Sequence, residues 1–252
     1  MQAVILAAGM GRRLTPVTDN LPKGLLEIGG RPLLDYTFQA LRHRGIEEVI
    51  MVVGFCSEQI RSRFGHRYLG LDIRYCVNMD YSRTGSMYSL SRARSFLNGD
   101  VLLVESDLLF SSEGIKLMLQ SSHPDCILTA PVSGSGDEVY ICVNNRGMIT
   151  ALGKDLPTEL REKAIGELVG ISRLSKGFLK ALFCKAEDDY RRGETNLHYE
   201  ECIFSTSSDE LPVYAVLHDS LVWTEIDTAR DLRRARENIF PSLRNGNDER
   251  DS

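Results

Sequence analysis

An apolar strand that runs straight into a small-residue turn constrains this 252-residue chain more than any other feature. It reads Val4-Ile5-Leu6-Ala7-Ala8-Gly9-Met10-Gly11-Arg12-Arg13-Leu14, and Leu21-Pro22-Lys23-Gly24 follows. Leu6, Ala7, Ala8, Gly9 and Gly11 bring the end of the strand and its backbone N–H groups close to whatever lies in front of them. With little or no side chain on four of the five, an anion can nest there. Arg12 can fork across two phosphate oxygens, and Lys23, on a Pro-stiffened loop, supplies a compact charge near a reacting phosphorus. The segment reads as a site for a nucleoside triphosphate.

Two other glycine loops are excluded by the letters. A dinucleotide fingerprint needs a third glycine three places after the second, where this chain has Leu14, and an acid at the end of the next strand. Here the strand Val49-Ile50-Met51-Val52-Val53 ends in Gly54-Phe55. A Walker loop needs Gly-Lys-Ser/Thr, and no such triplet occurs.

The surrounding pattern alternates strand and helix: Ala3–Leu6 then 33–44, 48–53 then 57–64, and 72–77 then 86–97. Leu34, Phe38 and Leu41 share one helix face, Gly45 is placed to end that helix, and Ser86 is placed as an N-cap. Alternation of this kind predicts an α/β fold, a mostly parallel mixed central sheet between helical layers. After Asp107 come strands at 126–131, 139–143 and 148–152, separated by Ser133-Gly134-Ser135-Gly136 and an Asn-Asn-Arg-Gly turn. These read as hairpins, a small antiparallel β addition in the second half. Further strands are expected at 167–171, 213–216 and 222–225, and helices at 175–188 and 228–238. A single domain is expected over 1–244, with 245–252 a frayed polar tail.

Formal net charge is -5 and no basic tract is present, which argues against nucleic acid and membrane surfaces as partners. No apolar run reaches membrane-span length, and no leader-like segment precedes the strand, so the expected location is cytoplasmic. The six cysteines lie singly in apolar segments and the five histidines are scattered, so neither type suggests a metal site.

The acids are more informative. Strand 101–105 ends in Glu105-Ser106-Asp107, placing Asp107 at the carboxyl edge of the sheet where ligands bind in open α/β folds. Glu225 and Asp227, two apart in an extended stretch, face one side. Carboxylates gathered from distant segments repel unless a cation lies between them, and Mg²⁺ bridged to triphosphate oxygens meets that need. Asp227 also has a bland role open to it, as cap or dipole partner of the last helix.

Leu6-Ala7-Ala8-Gly9-x-Gly11-Arg12-x-Leu14-Thr15-Pro16 with Pro22-Lys23 resembles the signature of the nucleotidyltransferase superfamily, which makes nucleotide-activated sugars and cytidylylated amino-alcohols. The resemblance implies a three-layer α/β/α nucleotide-diphospho-sugar transferase-like fold, and it implies that Asp107 and Asp227 hold the metal. Thr84-Gly85-Ser86-Met87-Tyr88, Gly136-Asp137-Glu138, Gly166-Glu167-Leu168, Tyr199-Glu200-Glu201 and Trp223-Thr224-Glu225-Ile226-Asp227 together look like the branch that cytidylylates phosphocholine or 2-aminoethylphosphonate. A cationic acceptor wants acids and aromatic faces, which Asp137, Glu138, Glu167, Tyr88, Tyr199 and Trp223 offer, with Lys154 for its phosphate. Asn78 and Ser86 lie where the superfamily reads the base, here cytosine of CTP. In the expected reaction an ionised acceptor oxygen attacks the α-phosphorus in line and pyrophosphate leaves. Arg12 holds the leaving phosphates and Lys23 meets charge at the α-phosphorus. Acidic residues tilt the acceptor toward 2-aminoethylphosphonate. A sugar-1-phosphate nucleotidylyltransferase using UTP or dTTP, and a non-catalytic nucleotide-binding regulator, are the alternatives. Partners are expected to be small molecules, with a homodimer left open.

Overall fold

The computed structural model describes residues 1–248. Its first half alternates β1 (Gln2–Ala7), the short pair β2 (Glu27–Ile28) and β3 (Arg31–Pro32), α1 (Leu33–His43), β4 (Glu48–Val53), α2 (Ser57–Phe64), β5 (Arg67–Tyr68), β6 (Leu71–Val77), α3 (Ser86–Arg92) and β7 (Val101–Glu105). The second half brings β8 (Leu108–Phe110), α4 (Glu113–Gln120), β9 (Cys126–Ala130), β10 (Tyr140–Val143), β11 (Ile149–Gly153), α5 (Thr158–Arg161) and β12 (Gly166–Leu174). It ends with α6 (Lys176–Arg191), α7 (Tyr199–Thr206), β13 (Tyr214–Leu217), β14 (Trp223–Glu225), α8 (Ala229–Arg234) and α9 (Phe240–Asp248).

The main sheet runs β11-β10-β12-β7-β1-β4-β6-β5, with β9 on β12 and β13 on β9. Its heart, β7-β1-β4-β6, is parallel, and β10, β11 and β12 join antiparallel. Alternate residues of the buried strands feed two cores. Ala3, Ile5 and Ala7 pack with Leu34 and Phe38 of α1, Ile60 of α2 and Met118 of α4. Val4 packs on the other face with Leu90 of α3, Phe178 of α6 and Tyr199 of α7. Ile5 and Val4 are fully buried, and each such side chain contributes about 1.5–3 kcal/mol by leaving water. The result is the three-layer mixed sheet that the sequence pattern predicts.

Three local expectations change. Ser133–Gly136 closes no hairpin, because β9 pairs with β12 and β13 while β10 pairs with β11 and β12; both flank Glu167 of β12, and the segment between them crosses open as a loop. Ser86 is the first residue of α3 rather than its cap, which is Gly85. The last helix is longer than expected, since α8 continues through a π turn into α9. Of the tail expected at 245–252, residues up to Asp248 belong to α9 and the rest lie outside the described residues. A third core, including Leu14, Leu26, Ile28, Leu109, Ile226 and Leu232, packs the 12–33 segment against α8. Among the described residues no helix is long and apolar enough to cross a membrane. All six cysteines are free thiols, four of them buried.

Candidate active site

A cavity of about 450 Å³ opens at the carboxyl ends of β1 and β7. Its donor-side wall begins with Leu6, Ala8 and Gly9. After Gly9 the chain turns through Gly11 at φ +60°, and the Gly11 carbonyl accepts from Thr18 Oγ1 at 2.8 Å and Leu14 N at 2.9 Å. A Cβ on Gly11 would lie 2.9 Å from Lys23 Cγ. Glycine is therefore what lets the Lys23 stem cross the loop and deliver its ammonium into the cavity. Lys23 Nζ donates to Asp107 Oδ2 at 2.8 Å and to Asp227 Oδ1. Burial alone would lower the lysine pKa, but the two carboxylates hold it well above the usual range.

The guanidinium that lines this wall belongs to Arg13, whose fork donates to Asp137 Oδ2 and, at 2.6 Å, to Asp227 Oδ2. The expectation that Arg12 faces the phosphates is corrected here. The short turn Arg12–Leu14 buries Leu14, carries the half-exposed Arg13 along the cavity wall and leaves Arg12 exposed beside Met10, outside the lining.

A carboxylate trio sits deeper. Glu105, Asp107 and Glu225 bring ligand oxygens within 4.8 Å of one another. Burial, then Asp107 and Glu200, push Glu105 up; burial, then Asp107 and Glu105, push Glu225 up further. Three acids crowded in this way are stable in the ionised state only with a cation among them, so the residues fit a divalent ion. The expected set was Asp107, Asp227 and Glu225. The structure joins Asp107 and Glu225, adds Glu105 and turns Asp227 toward Lys23 and Arg13, which hold its carboxyl below the ordinary range against the upward push of burial. Local folding explains the aim. β8 and β14 pair with Leu108 opposite Glu225, Ile226 N donates to the Asp107 carbonyl at 2.9 Å, and Thr228 with Asp231 forms the capping box of α8. Thr228 is thus the cap, and Asp227 is released for the cavity.

The opposite wall comes from the second half. Glu138 is 7% exposed and accepts from Gly136 N at 3.1 Å; Glu167 is 3% exposed and accepts from Ser133 N at 3.0 Å. These bonds lower Glu138 although burial opposes them, while burial raises Glu167. Asp137 also receives Lys154 Nζ on Oδ1 at 2.6 Å. Tyr199 is wholly buried, and its hydroxyl has no hydrogen-bond partner among the described residues. Trp223, half-buried, also lines the cavity. The two walls are spliced by backbone: Gly85 N donates to Thr195 O at 2.9 Å, Met87 N to Leu197 O at 3.1 Å, and Tyr199 N to Ser86 Oγ at 2.9 Å. A Cβ on Gly85 would overlap the Leu197 carbonyl.

Leu6, Ala8, Gly9, Lys23, Ser86, Asp107, Asp137, Glu138, Lys154, Glu167, Tyr199, Trp223, Glu225 and Asp227 thus meet around one cavity. Besides Arg12, four expected residues stand outside it. Ala7 points into the core and Gly11 shapes the loop behind the wall. Asn78, fully buried, spends its amide on Thr84 Oγ1 and Ser89 Oγ, both at 3.0 Å, so it braces the 78–84 loop instead of reading a base. Tyr88 packs edge-on against Tyr190 with centroids 5.3 Å apart. The sequence reading missed Arg13, Glu105, Tyr81, Thr84 and Glu200 as lining residues. Glu105 carried a signal, since it stands two residues before Asp107 as Glu225 does before Asp227.

A small-residue turn after β1, a lysine and an arginine in front of it, and an acid trio at the strand ends thus share one edge of an α/β sheet. Residues 3–176 match the MobA-like NTP transferase domain, and the chain belongs to that family. It is 32% identical to choline-phosphate cytidylyltransferase of Streptococcus pneumoniae over 94% of this chain and 97% of that one. It is 29% identical to CMP-5'-(3-aminopropyl)phosphonate synthase of Streptomyces rubellomurinus over 96% of this chain, which spans 39% of the synthase's length. A UTP–glucose-1-phosphate uridylyltransferase of Haloferax volcanii is 35% identical over 58% of this chain and 60% of its own. In structure, CTP:phosphocholine cytidylyltransferase from Streptococcus pneumoniae superposes with a TM-score of 0.73 at 23% identity, covering 94% of this chain and 97% of its own.

Proposed function

We propose that this chain transfers CMP from CTP to a phosphonate or phosphate oxygen of a small amine-bearing acceptor, 2-aminoethylphosphonate ahead of phosphocholine, with release of pyrophosphate. The observation that carries the reading is the make-up of the cavity. Nine carboxylates and four Lys or Arg side chains line it, with Arg13 and Lys23 beside the phosphate loop and Lys154 on Asp137. Carboxylates in that excess suit a cationic amine and would leave a neutral sugar with few matched donors. Tyr81, Tyr199 and Trp223 are the aromatic residues of the lining, fewer than the acids, which favours a primary ammonium over a trimethylated one. The amine-bearing products and substrates in the names of the two relatives aligned along nearly all of this chain support the same class.

The acceptor oxygen is already ionised near neutral pH, so it attacks the α-phosphorus without a general base. A new P–O bond forms, the bond to the β-phosphate breaks, and pyrophosphate departs with the electron pair. Lys23 stabilises charge at the α-phosphorus, Arg13 forks across the leaving phosphates, and Lys154 draws in the acceptor phosphonate. Glu105, Asp107 and Glu225 would hold Mg²⁺, which supplies neutralisation of phosphate charge when bound. Ser86, lining the donor side, is the side chain offered to cytosine.

The test is pyrophosphate release across CTP, UTP and dTTP against 2-aminoethylphosphonate, phosphocholine and glucose-1-phosphate, with and without Mg²⁺. Release with CTP and an amine-bearing acceptor is expected. Release with glucose-1-phosphate and neither amine would replace this reading with the sugar-1-phosphate one, and silence throughout would favour a regulator.

A further inference from the structure

Three of the four cations lining the cavity are already engaged. Lys23 lies between Asp107 and Asp227, Arg13 between Asp227 and Asp137, and Lys154 on Asp137. A triphosphate that takes Lys23 or Arg13 therefore exchanges places with carboxylates. Asp107 belongs to the acid trio, and Asp227 is 5% exposed with its backbone N–H on Asp231 at 3.3 Å. Asp137 differs from both. It stands at the tip of the 133–138 crossing, between Gly136 at φ +93° and Glu138, and its side chain is 30% exposed. The base of the crossing is tied down by buried Glu138 and Glu167, whereas the Asp137 carboxylate is held by the two cations, one on each oxygen: Arg13 on Oδ2 and Lys154 on Oδ1.

We infer that Asp137 is a displaceable counter-ion that couples the two substrates. The arriving triphosphate takes Arg13 from Oδ2, and the freed oxygen, with Oδ1 still on Lys154, then positions the ammonium of the acceptor. Donor binding thereby prepares the acceptor site. Asp137 is a positioning residue for the donor and a binding residue for the acceptor. The inference rests on the two-substrate reading above. Its energetic logic is that phosphate oxygens carry more charge than one carboxylate and win the guanidinium, while the released carboxylate is left partly unpaired until a cation arrives.

The experiment titrates the wild type, Asp137→Asn and Asp137→Glu calorimetrically with an unreactive CTP analogue bridged by methylene between the α- and β-phosphates. Each protein is also titrated with 2-aminoethylphosphonate, with and without the analogue. In the wild type the analogue is expected to tighten acceptor binding by about fivefold or more, a typical coupling between sites. Asp137→Asn is expected to bind the analogue at least as tightly as the wild type and to lose the coupling; Asp137→Glu restores it. Wild-type coupling in Asp137→Asn would overturn the inference, whereas a structural role alone would weaken both ligands together. Amide hydrogen exchange at 133–138 with the analogue alone decides the exchange step even if no acceptor binds, which would sink only the two-substrate reading. The analogue should speed exchange in the wild type, and Asp137→Asn should be fast without it. Equal rates in the wild type with and without the analogue would refute displacement.

Discussion

The two walls of the cavity are built in opposite ways. The phosphate side of the cavity comes chiefly from one stretch, the end of β1 through Lys23, whose small residues bare the backbone beside Arg13 and Lys23. The acceptor wall is collected from the 133–138 crossing, β11, β12, α7 and β14, and its chemistry lies in side chains. A wall made of backbone suits a constant partner such as phosphate, while one made of side chains from several segments can be altered a residue at a time. On the proposed function, the first wall holds the phosphates and the second selects the acceptor.

Substitutions put that contrast to the test. The largest effect is expected from Asp107→Asn, at the floor shared by both walls. Divalent-dependent turnover should fall by on the order of 10³-fold or more, because metal neutralisation is worth several kcal/mol, with an unchanged circular dichroism spectrum. A rate that still responds to EDTA as the wild type does would remove Asp107 from the metal cluster. Lys23→Ala should lower kcat by about 10²- to 10³-fold and shift the Kd for CTP far less, since its charge matters most in the transition state. Rapid-quench kinetics beside equilibrium titration separate the two effects. Arg13→Ala should raise KM for CTP by about 10- to 100-fold, the worth of a charged hydrogen bond, while Arg12→Ala changes it less than about twofold. The reverse ranking would restore Arg12 to the donor wall. Smallest of all, Tyr88→Phe should leave both KM values within about twofold, because the ring packs on Tyr190 away from the cavity.

The same contrast explains what could be read from the letters. The strand and small-residue turn that open the cavity were legible because the strand is an unbroken apolar run and the small residues follow it directly. The choice between Arg12 and Arg13 was not, since two adjacent arginines have identical chemistry and the turn that buries Leu14 decides which lies along the cavity wall. For the acceptor wall, residue types were informative and directions were not. Tyr88 and Asn78 sit in the right segments but face Tyr190 and the 78–84 loop. The Ser133–Gly136 turn looked like a hairpin because its composition is that of one. Whether two strands pair depends on β12, thirty residues further on, taking the place between them. Thr228 and Asp231 satisfy the helix end between themselves, so Asp227 is not its cap.

The splice at Gly85 makes the gap between the walls a property of main chain against main chain. Side chains facing the cavity can then be exchanged for larger or smaller ones without the walls drifting apart, much as the jaws of a locked caliper hold whatever lining is fitted. On the proposed function, acceptor preference can thus be retuned at Tyr199, Trp223 or Lys154 at fixed width. A methyl group at position 85 would instead unlock the jaws, and every substrate would lose its fit together.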